Sequence, residues 1–273
     1  MSGMRFGVTA TIRDYGEMSK LGVDFLELLV REEDRITDIE KFLRSFRGDL
    51  ILHAPEQIRF EGRERLLDLA SAEKGFREAC RRRIGEISVL AGEKGIPLVV
   101  HPGGVLKERI ERTWHLIDNL IESLGAIEGT IWMENMPRRY HLDEKLLWCN
   151  ILLNPEEMNA VRRVVDGYAL DVSHAFLSVE DNGNASIARF LDELGGDVSH
   201  VHLSDAGYPD IEGVQIGEGD IDFSFLRRLG NLPVLLEVWG GHENGGEGCR
   251  EALTRVNAML PPGTYDIRPR VQS

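Results

Sequence analysis

Apolar positions along the chain follow two periods in alternation. Eight short runs have the length and apolar density of buried strands: 5–10, 24–30, 49–53, 96–101, 129–134, 168–171, 198–203 and 234–237. Between them apolar residues recur at helical spacing, most clearly at Ile39, Phe42, Leu43 and Phe46 within 38–46. Further helices are predicted at 14–21, at 64–95 with a break near Ser71, and at 110–124, 155–165, 186–194, 223–229 and 247–260. Pro155 follows Asn154 at a helix start, and Gly22, Gly125 and Gly195-Gly196 stand where helices close. Long loops are expected at 135–150 and, studded with glycine, at 207–219.

Strand and helix alternate through eight cycles. Apolar strands joined by helices imply a parallel sheet, and eight such units close on themselves. The expected fold is therefore α/β, a (β/α)8 TIM barrel, as a single domain over 1–260 with an aperiodic C-terminal tail at 261–273.

Chemistry in such barrels sits at the C-terminal strand ends. Strands three to eight end in His53, His101, Glu134, Asp171, His202 and Glu237. Taken singly, Asp171 reads equally well as a helix cap and His202 as a hydrogen-bonded core residue. Six such ends in a chain with eight histidines favour one shared site. Glu134, Asp171, His202 and Glu237 offer three carboxylates and an imidazole, a set that suits Zn²⁺, Mn²⁺ or Co²⁺, and also Fe²⁺ or Mg²⁺. His53 and His101 could join Glu134 around a second ion; with one ion they would hydrogen-bond a substrate instead. His174, three residues past Asp171, can reach the same cavity. His200 shares a strand face with His202 one step deeper and reads as a satisfied core residue. Glu27, a lone acid in an apolar strand, needs a partner and is expected to face the strand-end cavity.

Composition narrows the partners. The net charge of −14 repels nucleic acid at long range, although it does not exclude a local basic groove. No apolar stretch reaches the ~18 residues of a membrane span, and the N-terminus has no signal-peptide pattern. Cys80, Cys149 and Cys249 are scattered without a CxxC, which fits a reducing, cytoplasmic setting. The oligomeric state is left open.

Leu52-His53-Ala54-Pro55, Val100-His101-Pro102-Gly103, Glu134-Asn135, Leu170-Asp171-Val172-Ser173-His174-Ala175, His202-Leu203-Ser204-Asp205, Gly217-Glu218-Gly219 and Leu236-Glu237 together resemble the xylose isomerase-like TIM barrels. That superfamily holds the sugar isomerases and epimerases and also endonuclease IV. The epimerase branch implies one ion on Glu134, Asp171, His202 and Glu237, binding the carbonyl and adjacent hydroxyl oxygens of a small sugar or sugar phosphate. It implies that Glu134 and Glu237 exchange the α-proton through a cis-enediolate and that His174 orients a substrate oxygen. Arg138 and Arg139 are the candidates to meet a phosphate or carboxylate.

The endonuclease IV branch implies a zinc-dependent phosphodiester hydrolase acting on abasic DNA. Its first two zinc sites are matched by His53, His101, Glu134, Asp171, His202 and Glu237. Its third zinc needs, besides the histidine matched by His174, an Asp-Arg-His segment that aligns here with Ile211-Glu212-Gly213. Asp210 could substitute only by a one-residue shift. Glu56 stands in place of a DNA-engaging tyrosine. The sequence therefore points first to a sugar isomerase or epimerase with one, or two, divalent ions. The hydrolase is the alternative, and a non-catalytic metal- or ligand-binding barrel the third reading.

Overall fold

A computed structural model describes residues 4–142 and 145–261. Its frame is a closed barrel of eight parallel strands: β1 (Arg5–Ala10), β2 (Phe25–Leu29), β3 (Asp49–His53), β4 (Leu98–Val100), β5 (Ile131–Glu134), β6 (Gly167–Asp171), β7 (Val198–Leu203) and β8 (Pro233–Leu236). Neighbours follow chain order, and β8 closes onto β1 with Phe6 beside Val234. Helices α1 (Tyr15–Met18), α2 (Ile36–Ser45), α3 (Lys74–Gly92), α4 (Trp114–Leu124), α5 (Pro155–Val161), α6 (Val172–Leu177), α7 (Gly183–Leu194) and α8 (Glu243–Met259) follow the strands. Between β7 and β8 the connection is a 3-10 helix, Phe223–Arg228. Apart from Pro261, the expected tail lies outside the described residues.

The structure departs from the sequence pattern in the loops above the strand ends. The helix expected from residue 64 begins only at Lys74, because Gln57–Phe60 and Arg63–Leu66 pair as a hairpin. Its two-residue turn, Glu61-Gly62, takes left-handed backbone at both positions, the form that matches the strands' twist. The 135–150 loop folds into a second hairpin, Arg139–Leu142 against Lys145–Cys149, joined by Val105–Leu106. The 207–219 loop holds a third, Asp205–Gly207 against Ile211–Val214.

The barrel interior is layered. Phe25, Ile51, Val99, Ala169 and Leu235 form an apolar cluster of their own, with Trp132 packed on it. In the sequence each lies two residues before Glu27, His53, His101, Asp171, Glu237 or Glu134. Side chains two apart share a strand face, so this plug lies directly beneath a ring of polar groups. Gly7 makes room for it: a Cβ there would stand 2.3 Å from the Phe25 ring. The main core occupies the opposite strand faces, against the helices.

Candidate metal centre

Strand register brings the six residues to one end of the barrel. Asp171 lies directly beside His202, and Glu134 beside Ala169, one step below Asp171. Glu134, Asp171, His202 and Glu237 each offer an atom within 4.8 Å of the others, and His53, Glu134 and His202 form a second such set. His101 meets Glu134 at 3.2 Å without entering either set.

Glu134 is the hub. Its Oε2 lies 3.3 Å from His53 Nε2 and 3.2 Å from His101 Nε2, and its Oε1 lies 3.3 Å from His174 Nδ1 and 3.6 Å from His202 Nδ1. Glu237 Oε2 reaches the same His202 Nδ1 at 2.9 Å. Asp171 does serve as a helix cap: its Oδ1 accepts from the His174 amide and the Ser173 hydroxyl at the start of α6. That cap leaves Oδ2 as its second oxygen at the site. His174 is held in turn, its Nδ1–H donating to the Asn135 carbonyl at 2.9 Å.

Burial and charge oppose one another here. Burial alone would raise the Glu134 carboxyl, but the surrounding imidazoles, His101 and His202 first, hold it well below its ordinary value. Asp171 is pushed up to about 6, by burial and by the neighbouring Glu134 and Glu237 charges, against the pull of His174. Burial disfavours charge on His53, yet its bond to Glu134 raises it to about 9. His174 and His202 also rise against the effect of burial, through Asp171 and Glu27 respectively.

The donor set fits a divalent ion. Three carboxylates gathered at one point repel each other unless a cation lies between them. Both ring nitrogens of fully buried His202 also lack an aligned hydrogen-bond partner among the described residues, and a buried imidazole nitrogen facing carboxylates is a ready metal ligand.

The centre opens into a cavity of about 180 Å³ lined by Glu56, His101, Glu134, Tyr140, His141, Asp171, Ser173, His174, Ser204, Glu212, Gly213, Glu237 and Trp239. A larger one, about 570 Å³, opens at the opposite end, below the plug, among Arg5, Arg47, Asp49, Lys94 and Pro233. We assign the chemistry to the smaller one, where the ligand-type side chains converge and where barrel active sites form.

Arg138 and Arg139 do not reach this cavity. Arg138 bonds Glu180 at 2.7 Å beside a separate cavity. Arg139 pairs with Asp210 at 3.1 Å and lies over the Trp148 ring, and Asp210 joins none of the candidate ligand groups among the described residues. Glu27 faces down the barrel axis instead of into the cavity, bonding His200 Nε2 at 2.7 Å. Burial would raise its carboxyl, but His202 and His200 drive it far down. His200 is the satisfied core residue expected, its two ring nitrogens lying 2.7 Å from Glu27 and 3.0 Å from the Pro233 carbonyl. The sequence did not single out Glu212, whose Oε2 is buried, has no hydrogen-bond partner among the described residues and lies 3.3 Å from His174 Nε2. Its signals were an acid inside a glycine-rich loop and its place in the segment aligned with the third-zinc ligands.

An eight-stranded parallel barrel with a polar, metal-type centre at its C-terminal strand ends defines the class. The chain belongs to the xylose isomerase-like TIM barrel family, whose model matches residues 16–259. Among solved structures it is similar to a D-tagatose 3-epimerase-like protein, with 21% identity over 94% of this chain and 100% of that one and a TM-score of 0.64. It is also similar to a D-allulose 3-epimerase from Methylomonas sp., at 14% identity over 95% and 99%, TM-score 0.66. A 3-keto-D-glucoside 4-epimerase from E. coli matches at 14% identity over 93% and 99%, TM-score 0.66. At these identities the likeness is one of fold. No curated protein matches the chain significantly.

Proposed function

We propose that this protein is a metal-dependent epimerase or isomerase of a small, unphosphorylated sugar. The observation that carries the reading is the approach of Glu134 and Glu237 to one imidazole nitrogen, His202 Nδ1, from strands three positions apart around the barrel. Glu134, Asp171, His202 and Glu237 would hold the ion. A divalent cation at this point polarises a carbonyl and makes the adjacent C–H more acidic. One of the two glutamates takes that proton and the other returns it, on opposite sides of the substrate carbon. His174, its Nδ1 committed to the Asn135 carbonyl, presents Nε2 to a substrate oxygen. The apolar plug closes the site from below.

The lining favours a substrate without phosphate. Among the described residues it includes five acids, Glu56, Glu134, Asp171, Glu212 and Glu237, and no arginine or lysine. Its volume lies below the roughly 300–1,000 Å³ of drug-sized sites, which suits one sugar ring or chain. Two of the similar structures are named as sugar epimerases and a third as epimerase-like, which supports the same class. One observation favours the hydrolase reading: His53 and His101 both face Glu134 Oε2, as a second ion would require. The acidic lining counts against a polyanionic substrate.

The test is turnover of free ketoses and their phosphates in deuterium oxide with Mn²⁺ or Co²⁺. Deuterium entering a free sugar, lost in Glu237→Gln with the fold intact, is the expected result. Two ions per chain with cleavage of an abasic duplex, and no exchange into any sugar, would overturn it.

A further inference from the structure

Below the proposed centre lies a polar chain that the reaction does not use. His202 is entirely buried, and as a ligand it must present a bare nitrogen to the ion. The nitrogen facing the carboxylates is Nδ1, with Glu237 at 2.9 Å and Glu134 at 3.6 Å. A neutral imidazole with a bare Nδ1 carries its proton on Nε2. In a buried ring that N–H needs an acceptor. Glu27 Oε1, 3.1 Å from Nε2, stands on that side of the ring, although off the line of a hydrogen bond.

Glu27 is itself fixed. Its Oε2 lies 2.7 Å from His200 Nε2, and His200 Nδ1 lies 3.0 Å from the carbonyl of Pro233, the first residue of β8. The His200 ring is wedged between Phe25 and Trp132 of the plug. Glu27, His200 and His202 are all essentially inaccessible to solvent. One carboxylate on β2 thus ties two imidazoles of β7, and through them the start of β8.

Resting on the metal-site reading above, we propose that Glu27 is the positioning residue of the centre. It accepts the Nε2–H of His202, selects the tautomer whose Nδ1 faces the ion, and fixes the ring's rotation. Outer partners of this kind commonly contribute about 10–100-fold in metal affinity.

The test strips the full-length protein with chelator and titrates it with Co²⁺, comparing wild type, Glu27→Gln and Glu27→Leu. Circular dichroism of the metal-free proteins controls for folding. Nitrogen-15 spectra of the histidine rings in wild type, with and without Zn²⁺, read the tautomer directly. Glu27→Leu is expected to bind about 10–100-fold more weakly, and Glu27→Gln, which keeps an acceptor, in between. Zinc-loaded His202 should show a protonated Nε2 and a metal-bound Nδ1. A folded Glu27→Leu protein within about twofold of wild type, or zinc on His202 Nε2, overturns the proposal. Should both variants fail to fold, the wild-type spectrum decides by itself. Unchanged affinity in Glu134→Gln and Asp171→Asn would instead sink the four-ligand site, a failure distinct from that of Glu27.

Discussion

Asn135 and Asp171 exchange two hydrogen bonds. The Asn135 side-chain amide donates to the Asp171 carbonyl at 3.0 Å, and the Asp171 backbone amide donates to Asn135 Oδ1 at 2.8 Å. The β5–β6 ladder stops at Glu134 and Ala169, so this side chain adds the next link and fixes Asp171 beside Glu134. Asn135→Leu keeps the volume and leaves a buried N–H and a buried C=O unpaired, at about 1–3 kcal/mol each. The expected result is a loss of about 2–6 kcal/mol in denaturant unfolding, with weaker Co²⁺ binding. Stability equal to wild type would show that this link is dispensable.

Gly7 and Phe25 make a steric pair at the foot of the plug. Gly7→Ala places a methyl group 2.3 Å from the ring, an overpacking that costs about 1–3 kcal/mol. The smaller side chain of Phe25→Leu should recover part of that loss in the double variant. Additive losses in the four-protein cycle would show that the two positions do not interact.

Loading the centre should stabilise the fold, because the ligands converge only in the native state. At a free ion concentration a hundredfold above Kd, the gain is about 2.7 kcal/mol. Calorimetry of chelator-treated protein with and without Mn²⁺ should show a raised melting midpoint in wild type. Asp171→Asn should shrink that shift.

The three cysteines are buried free thiols, and burial raises all three, Cys80 to about 12 and Cys249 to about 11. Native protein at pH 8 should therefore resist iodoacetamide and react once unfolded. The folded state keeps these protons while an unfolded thiol loses its own near pH 9. The unfolded state then binds fewer protons, so stability is intact below pH 9 and falls as pH rises from there toward 12. Rapid alkylation of folded protein at pH 8 would contradict this burial.

The barrel was legible because buried parallel strands are written as short apolar runs and their partners as amphipathic helices. The ends of β1, β3 and β7 agree with the sequence to the residue. The three hairpins were not legible. Each is built of strands three to five residues long, too short for an alternation such as Gln57-Ile58-Arg59-Phe60 to stand out, and each is held on the rim by neighbours remote in sequence.

The metal-type residues were legible for the same reason as the strands, since strand ends in a closed barrel must converge. Parity also layers the barrel: every strand-end residue of the centre except His202 stands two positions after a plug residue, as in Ile51 and His53 or Trp132 and Glu134. What each group faces was decided only by tertiary structure. Glu27 looks like a cavity acid in sequence and lies beneath His202, while Arg138 and Arg139 look like anion ligands and are engaged by Glu180 and Asp210. A sequence fixes which side chains share a strand face, because that is a local, two-residue repeat. It does not fix which distant partner each charge meets, because that depends on how eight strands are staggered when the barrel closes.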